Sequence, residues 1–429
     1  MFTLSLLFGL GCLFVLIGIP IAAAIGLACA VTIFAGTDLP MVVLAQRMLA
    51  ILDSFPFLAL PFFVVAGLFM ERGGITRRLI DFAGIFVGRI TGGLAQVVIG
   101  TDVIMAGTSG SATADCVATG TVLIPALARA GYSRGFAAAL TAAASTVGPM
   151  VPPSIMFVLY SAITGVSVQR LFLGGLLPAL LMVVYMMAAT HVIAHRRAYP
   201  KLPPISLARA LRVSLNALPA LALPVVVVGG IVAGIFTPTE AGAIAAVLAF
   251  VLSSLVYREL GLRQLRDILV SAAGITAAIM LIVSAASLFG WLLARERAPD
   301  LLAQALLGFT RDPIVFLACT NLVLLVLGVF IEAIPLLILV APVVMPLIAA
   351  YGIDPVHFGV VLVLNLTIGL LMPPVGLLMF IVCSIGEVRL RDYTREILPF
   401  LAVIVATLLL ITYVPWLVLA LPNALIGAR

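Results

Sequence analysis

The stretch TVGPMVPP at residues 146–153 decides the fold, because a similar stretch, TIGLLMPP, occupies residues 367–374, which lie 221 positions later. The same offset pairs Gly107 with Gly328. Proline lacks an amide proton and its ring clashes with the preceding turn, so each Pro-Pro pair interrupts a helix. Carbonyls freed within a bilayer need protein, water or an ion as partners. The sequence therefore predicts two broken membrane helices at matching places of an internal repeat, which is typical of a transport site.

The composition is that of a protein with many membrane-spanning helices. Of the 429 residues, 64% are hydrophobic and 9% are charged, whereas soluble domains carry about 25% charged residues. The single lysine, Lys201, follows a proline and is not in a glycine-rich ATP-binding loop. The 23 basic residues are scattered, so the net charge of +6 does not indicate nucleic-acid binding. The five cysteines lie in apolar runs without metal-binding spacing.

Apolar runs of about 20 residues can cross a bilayer, and they predict an all-α integral membrane protein with about nine spanning helices. These lie at residues 3–36, 49–70, 136–160, 168–194, 213–236, 239–257, 268–293, 356–382 and 397–420. Two further segments, 91–127 and 314–349, are apolar but interrupted by short polar stretches. Each is predicted to form a re-entrant helical hairpin, here called hairpin 1 and hairpin 2.

The distribution of basic residues supports this topology, since they concentrate in cytoplasmic loops. With the N-terminus inside and no net crossing by either hairpin, 17 of the 23 basic residues are cytoplasmic. The two broken helices, 136–160 and 356–382, then run in opposite directions, so the repeat is inverted. The predicted organisation is scaffold helices at 1–71 and 195–293, interfacial arms at 72–89 and 295–312, and transport repeats at 91–194 and 314–420.

Both breaks and the first hairpin tip carry oxygen atoms that suit a hard cation. Unwound carbonyls at 147–151 and 368–372 are typical sodium ligands in transporters, and Thr146 and Thr367 could each add a hydroxyl. Small hydroxyl residues at the first tip, 107–113, either cap the adjoining helices or bind an ion. A proline kink patched by neighbouring hydroxyls would explain one break, but two breaks at one offset favour ion sites.

The acidic residues have structural as well as functional explanations. Asp354 precedes a proline and is a good helix N-cap, and Glu240 completes a capping box. Glu332 lies at the second tip, where an acidic residue at membrane depth is a functional candidate or a cap for the returning helix. Asp102 and Asp115 flank the first tip and have the same two explanations.

The combined motifs resemble the large membrane subunit of TRAP transporters, the tripartite ATP-independent periplasmic systems. The resemblance runs over nearly the whole chain and is carried by SGSAT at 109–113, GY at 131–132, GPMVPPS at 148–154, TPTEAG at 237–242 and GLLMPPVG at 369–376. It implies an elevator-type transporter, not an enzyme, that takes up a small organic acid across the bacterial inner membrane with a sodium gradient. It also implies two partners, a small four-helix membrane subunit and a soluble periplasmic substrate-binding protein.

The family pattern also implies where the ions and the substrate bind. One sodium ion is expected between each tip and the break of the same repeat, at positions that here are Ser109, Gly148, Val151, Gly328, Thr367, Gly369 and Met372. The substrate is expected between the two tips, and its candidate contacts are Thr108, Ser111, Glu332 and Asp354. The alternatives that the residues leave open are a stand-alone secondary symporter of anions and sodium with related architecture, an intramembrane enzyme and a channel.

Overall fold

The structure is a computed structural model that describes residues 2–53, 55–87, 91–201, 206–298, 310–373 and 375–427, together with residues 301, 304 and 308. These residues form helices and turns, with no β-strand among them. The first ten helices are α1 Phe2–Leu16, α2 Ile21–Gly36, α3 Val42–Ala50, α4 Ala59–Arg72, α5 Ile75–Val87, α6 Gly93–Ser109, α7 Ala112–Arg129, α8 Arg134–Ser145, α9 Ile155–Thr164 and α10 Val168–Arg196.

The remaining helices are α11 Leu207–Val232, α12 Pro238–Val251, α13 Leu262–Arg295, α14 Pro313–Phe330, α15 Ala333–Ala350, α16 Pro355–Gly369, α17 Leu377–Gly386, α18 Leu390–Tyr413 and α19 Trp416–Ile426. Within the described ranges, seven helices are long and apolar enough to cross a membrane, and up to nine spans result when two bent pairs are counted. The prediction of an all-helical membrane protein with multiple spans is therefore confirmed.

The first predicted span, 3–36, is two helices rather than one, so the prediction of a single span there is wrong. Gly18, in the turn between α1 and α2, has φ of +89°, and Pro20 precedes α2. The two helices fold back on each other, since Thr3 Oγ1 donates to the carbonyl of Gly36 at 3.4 Å. Hydropathy merged the two helices because the turn between them is itself apolar.

The arm predicted at 72–89 contains helix α5, which leaves α4 at an angle of 69°. The bend falls at Gly73 and Gly74, where there is no room for a side chain beside the turn that follows α12. Arg78 of α5 donates to Glu259 at 2.7 Å and its guanidinium lies 3.8 Å from the centre of the Tyr257 ring. The arm is thus fixed to a scaffold loop. Eight of the 18 residues of the second predicted arm, 295–312, lie outside the described residues.

The two broken helices form the centre of the molecule. Every residue of α8 except Arg134 is buried, and so is every residue of α16 except Pro355. Helix α8 packs against α6, α7, α17 and α18, whereas α16 packs against α14, α15, α10 and α18. Each broken helix is therefore covered by the hairpin of its own repeat.

An apolar cavity of about 780 Å³ separates hairpin 2 from the N-terminal helices. Its walls come from α1, α2 and α13 on one side and from α14 and α15 on the other, and they include Phe8, Ile25, Phe289, Leu324 and Val340. On this side the cavity separates hairpin 2 from α1 and α2, whereas its helices pack against both α16 and the scaffold helix α13.

Candidate functional site

The first break leaves a run of backbone carbonyls without hydrogen bonds. Helix α8 ends at Ser145, a single 3₁₀ turn covers Gly148–Met150, and α9 begins at Ile155. The carbonyl of Val147 accepts from the amides of Met150 and Val151. No described amide or side chain donates to the carbonyls of residues 148–153. For Gly148 and Pro149 the reason is that the residues four positions later are prolines without an amide proton. The carbonyls of Met150 and Pro153 pack against the glycines at 175 and 110, whereas no described glycine is in such contact with the carbonyls of Gly148 and Val151.

The first hairpin tip contacts this break directly. Gly110 has φ of +61°, its carbonyl accepts from the amide of Ile155 at 3.4 Å, and a Cβ atom there would clash with the carbonyl of Pro153. A Cβ atom at Gly148 would lie 2.5 Å from Oδ2 of Asp115, which follows the tip on α7. The absence of side chains at both glycines lets the two backbones meet.

Ser109 is oriented by the same aspartate. Its hydroxyl donates to Oδ1 of Asp115 at 2.5 Å, and its oxygen accepts from the amide of Ser111 at 3.3 Å. The structure therefore brings two of the predicted ion ligands, Ser109 and Gly148, to one junction through Asp115, and Val151 follows at the end of the same 3₁₀ turn. The sequence indicates either a functional role or a capping role for Asp115, and its link to Gly148 is visible only in three dimensions.

The second tip meets the second break through two glycines. A Cβ atom on Gly369 would clash with the backbone of Gly328, and a Cβ atom on Gly328 would lie 3.3 Å from the Cα atom of Gly369. Gly328 is in the last turn of α14, and Gly369 ends α16. The structure thus brings Gly328, Thr367 and Gly369 together, with Met372 in the following turn.

The second break differs from the first in its hydrogen bonding. Each carbonyl from Thr367 to Met372 accepts a hydrogen bond, five of them from amides within the break or at the start of α17. The hydroxyl of Tyr393 on α18 supplies the remaining one, to the carbonyl of Leu371 at 3.2 Å. Pro374 lies outside the described residues. A cation at this break would use the second lone pair of carbonyls that are already bonded.

The two tips line one small cavity of about 40 Å³. The first tip contributes Ser111 and Thr113, the second contributes Glu332, and both breaks contribute a residue each, Pro149 and Leu370. The hydroxyls of Ser111 and Thr113 are 3.0 Å apart. Thr113 was not among the predicted substrate contacts. Its position two residues after Ser111, in the same capping turn, could have identified it from the sequence.

One predicted substrate contact, Asp354, is not brought to this cavity. Asp354 caps α16, since its Oδ1 accepts from the amides of Val356 at 2.7 Å and His357 at 3.3 Å. At about 1.5 Å of rise per residue, the length of α16 separates Asp354 from the break by roughly 22 Å. Its capping role explains it fully. The side chain of Thr108 lies outside the described part of the structure.

A buried amide network supports the second junction. Asn365 Nδ2 donates to Oδ1 of Asn321 at 2.9 Å, and Asn321 Nδ2 donates to Oγ1 of Thr412 at 2.9 Å. The network joins α14, α16 and α18, and all three side chains are buried. The sequence shows only isolated asparagines in apolar helices. It does not show that they form a network, because the three residues are far apart in the chain.

We expect Asn365→Ala to lower the thermal stability of the purified protein, because it leaves the buried Asn321 amide short of a partner. We expect the free energy of unfolding to fall by about 1–2 kcal/mol, as estimated in model peptides for hydrogen bonds between membrane helices. Unfolding in detergent, followed by thiol reactivity of the buried cysteines, measures it. Asn216→Ala, at an exposed position of α11, is the control and should change nothing. Equal stability of Asn365→Ala and wild type would show that the network is not stabilising.

The fold and the two tip–break junctions define a multi-pass helical membrane protein of a transporter type. Two solved transporters share the fold. YdaH of Alcanivorax borkumensis aligns with a TM-score of 0.61 and 16% identity over 88% of both chains. MtrF of Neisseria gonorrhoeae aligns with a TM-score of 0.60 and 11% identity, over 93% of this chain and 94% of that one. At these identities the likeness shows the fold alone.

The chain belongs to the family described as "Tripartite ATP-independent periplasmic transporter, DctM component", whose model matches residues 8–417. It is therefore a transporter component and not an enzyme. It is 40% identical over 413 residues to the isethionate TRAP transporter permease protein DctMQ of Oleidesulfovibrio alaskensis. The match covers 96% of this chain but 65% of that protein, so this chain spans about two thirds of its length.

Two further relatives match over most of their own length. The sialic acid TRAP transporter large permease protein SiaM of Vibrio cholerae is 40% identical over 383 residues, covering 89% of this chain and 90% of that protein. The C4-dicarboxylate TRAP transporter large permease protein DctM of the same organism is 36% identical over 444 residues, covering 99% and 98%. The resemblance predicted from the motifs is thereby confirmed.

Proposed function

We propose that this chain is the large permease of a TRAP system, which takes up a small organic acid across the bacterial inner membrane and uses a sodium gradient. The observation that carries the proposal is the junction of the first tip and the first break, where Asp115, which holds the hydroxyl of Ser109, lies against Gly148 in a segment whose carbonyls have no described hydrogen-bond donor. The names of its relatives support the substrate class, since isethionate, sialic acid and C4-dicarboxylates are all organic acid anions.

The first sodium ion is placed between Ser109, Gly148 and Val151. The serine supplies its hydroxyl oxygen, which keeps a lone pair because its proton goes to Asp115. The two break residues supply carbonyls to which nothing described donates. Oxygen-only ligands suit a hard cation, and the unwound backbone of a broken helix is where sodium binds in other transporters.

The second sodium ion is placed between Gly328, Thr367, Gly369 and Met372. The hydroxyl of Thr367 donates to the carbonyl of Leu364 at 2.7 Å, so its oxygen can still accept or coordinate. Gly328 and Gly369 are in contact. Binding here therefore couples the position of the second tip to the second break, as the first ion does in its own repeat.

The organic acid is placed between the two tips, against Ser111, Thr113 and Glu332. Helices α7 and α15 both begin at this cavity, and helix N-termini attract anions. The present cavity of about 40 Å³ is far smaller than the roughly 300 Å³ or more typical of ligand sites. The tips therefore have to separate to admit the substrate and close again around it.

The movement is proposed to be that of an elevator. The hairpins and broken helices form one closely packed body, whereas hairpin 2 faces the N-terminal helices across the apolar cavity of about 780 Å³. This body slides between the two faces of the membrane along the scaffold. The words "tripartite" and "periplasmic" in the family description support two partners, a small four-helix membrane subunit and a periplasmic binding protein that delivers the substrate.

We expect uptake into proteoliposomes that contain all three components to fall to background when choline replaces sodium. Ser109→Ala and Thr367→Ala should each raise the sodium concentration at half-maximal uptake several-fold, because each removes one ligand oxygen. Thr394→Ala is the matched control, since that hydroxyl also bonds its own helix but lies exposed on α18.

The same assay separates the alternatives. Unchanged sodium dependence in both Ser109→Ala and Thr367→Ala contradicts the ion sites. Uptake that does not depend on the binding protein favours the stand-alone symporter. The ligand preference of the cognate binding protein identifies which organic acid is carried.

A further inference from the structure

Two carboxylates near the first tip have oxygen atoms without hydrogen-bond donors. Asp102 on α6 and Asp115 on α7 have no exposed surface. Within the described chain, both oxygens of Asp102 and Oδ2 of Asp115 have no hydrogen-bond partner. The two carboxylates interact electrostatically, and Glu71 also contributes negative charge near Asp115. None of the ion pairs formed by described residues involves either aspartate.

The polar groups that surround Asp102 do not supply the missing protons. The hydroxyls of Thr119 and Ser145 lie beside Asp102. Each donates its proton elsewhere, Thr119 to the carbonyl of Asp115 and Ser145 to the carbonyl of Thr141, both at 2.8 Å. The neighbouring Cys116 thiol is only a weak donor. The cluster is therefore a buried group of oxygen atoms that forms no ion pair with a cationic side chain of the described residues.

The repeat shows that the fold does not require this cluster. At the offset of 221 residues, the counterparts of Asp102, Asp115, Thr119 and Ser145 are, in that order, Val323, Leu336, Val340 and Leu366. The second repeat thus forms the same helices as the first, although all four corresponding positions carry apolar residues. Only the first repeat has ionisable residues at these positions. Such residues at membrane depth indicate a function.

We propose that this cluster binds a sodium ion of its own, in addition to the two ions at the tips. The ligands are the carboxylate of Asp102 and the hydroxyl oxygens of Thr119 and Ser145. Hard oxygen donors of this kind suit sodium, and a monovalent cation supplies the charge that the cluster lacks. The inference rests on the proposed sodium-driven function and concerns the number of ions carried.

The position of the cluster connects it to the first tip. Asp102 lies about two turns before Gly110 on α6, and Asp115 lies about one turn after the tip on α7. Asp115 uses Oδ1 to hold the hydroxyl of Ser109, and its Oδ2 lies beside Gly148 of the break. A cation bound at Asp102 offsets the repulsion between the two carboxylates, so that binding in the cluster favours the charged Asp115 that positions Ser109.

The test is direct counting of bound sodium. The permease with its small subunit is reconstituted in nanodiscs, and equilibrium binding of ²²Na⁺ is measured with choline as the balancing cation. We expect Asp102→Asn to bind one sodium ion fewer per permease than wild type, and the Hill coefficient of uptake against sodium to fall by about one. Thr190→Val is the control, because Thr190 is also fully buried and its hydroxyl also has no partner. It should bind as many ions as wild type.

A second variant covers the case in which Asp102→Asn does not fold. Ser145→Ala removes one neutral ligand, so we expect it to keep the number of ions but to weaken the affinity of one of them at least about threefold. Equal ion counts in wild type and Asp102→Asn, or unchanged affinities in Ser145→Ala, overturn the proposal, and the carboxylate charge is then neutralised by a proton. If wild type itself binds no sodium, it is the proposed function that fails.

Discussion

Gly369→Ala is expected to reduce uptake at least about tenfold. A Cβ atom at this position clashes with the carbonyl and Cα atoms of Gly328, and α16 cannot retreat because it is buried along almost its whole length. Forcing a methyl group into a packed contact costs about 1–3 kcal/mol or more. Here that cost falls on the contact between the second tip and the second break. The measurement is initial uptake in proteoliposomes with both partners, together with its sodium dependence.

The chain offers a graded set of controls for this prediction. Gly328→Ala places its methyl group 3.3 Å from the Cα atom of Gly369, so it should impair uptake less. Gly274→Ala, on the exposed face of α13 with nothing within 4 Å, should leave uptake unchanged. If Gly369→Ala transports like wild type, or if all three variants are equally impaired, close approach of the two glycines is not what the site requires.

Gly110→Ala is expected to cause a loss of similar size at the first tip, for two separable reasons. Its φ of +61° lies in the left-handed region, which costs roughly 1–2 kcal/mol for a residue with a side chain. In addition, the new methyl group clashes with the carbonyl of Pro153. The clash separates the tip from the break, so the sodium concentration at half-maximal uptake should rise as well as the rate falling.

Gly165→Ala isolates the first of these two effects. Gly165 has φ of +74° and ψ of 6°, close to the φ of 61° and ψ of 15° of Gly110, but nothing lies within 4 Å of its Cβ position. We expect this variant to be less stable yet to keep the sodium dependence of wild type. An identical rise in the sodium requirement of both variants would mean that backbone strain, and not contact with the break, explains the effect.

Those features of the fold that depend on local chemistry could be predicted from the sequence. Each Pro-Pro pair interrupts a helix wherever it stands, and α8 and α16 do end just before the two pairs. The convergence of Ser111 and Glu332 on one cavity also follows from the sequence, because the offset of 221 residues aligns the two positions. Both a helix break and an internal repeat can be recognised from the order of residues along the chain.

The features that could not be predicted depend on distances between separate elements. The turn at Gly18 is as apolar as the helices on either side of it, so hydropathy cannot detect it. Asp354 is equally suited by its residue type to bind a substrate or to cap a helix, and only its place at the far end of α16 decides for the cap. The unequal hydrogen bonding of the two breaks could not be foreseen, since both contain a Pro-Pro pair and a preceding glycine.

That inequality has a consequence for transport without cargo. If the moving body crossed the membrane with no ion bound, the carbonyls of residues 148–153 would travel without partners. Each unsatisfied polar group costs about 2–7 kcal/mol in an apolar environment. The carbonyls of the second break would keep the bonds they already have. In the proposed symport cycle the body has to return without ions after it has released them, so the first break, and not the second, would supply the larger desolvation barrier to this return step.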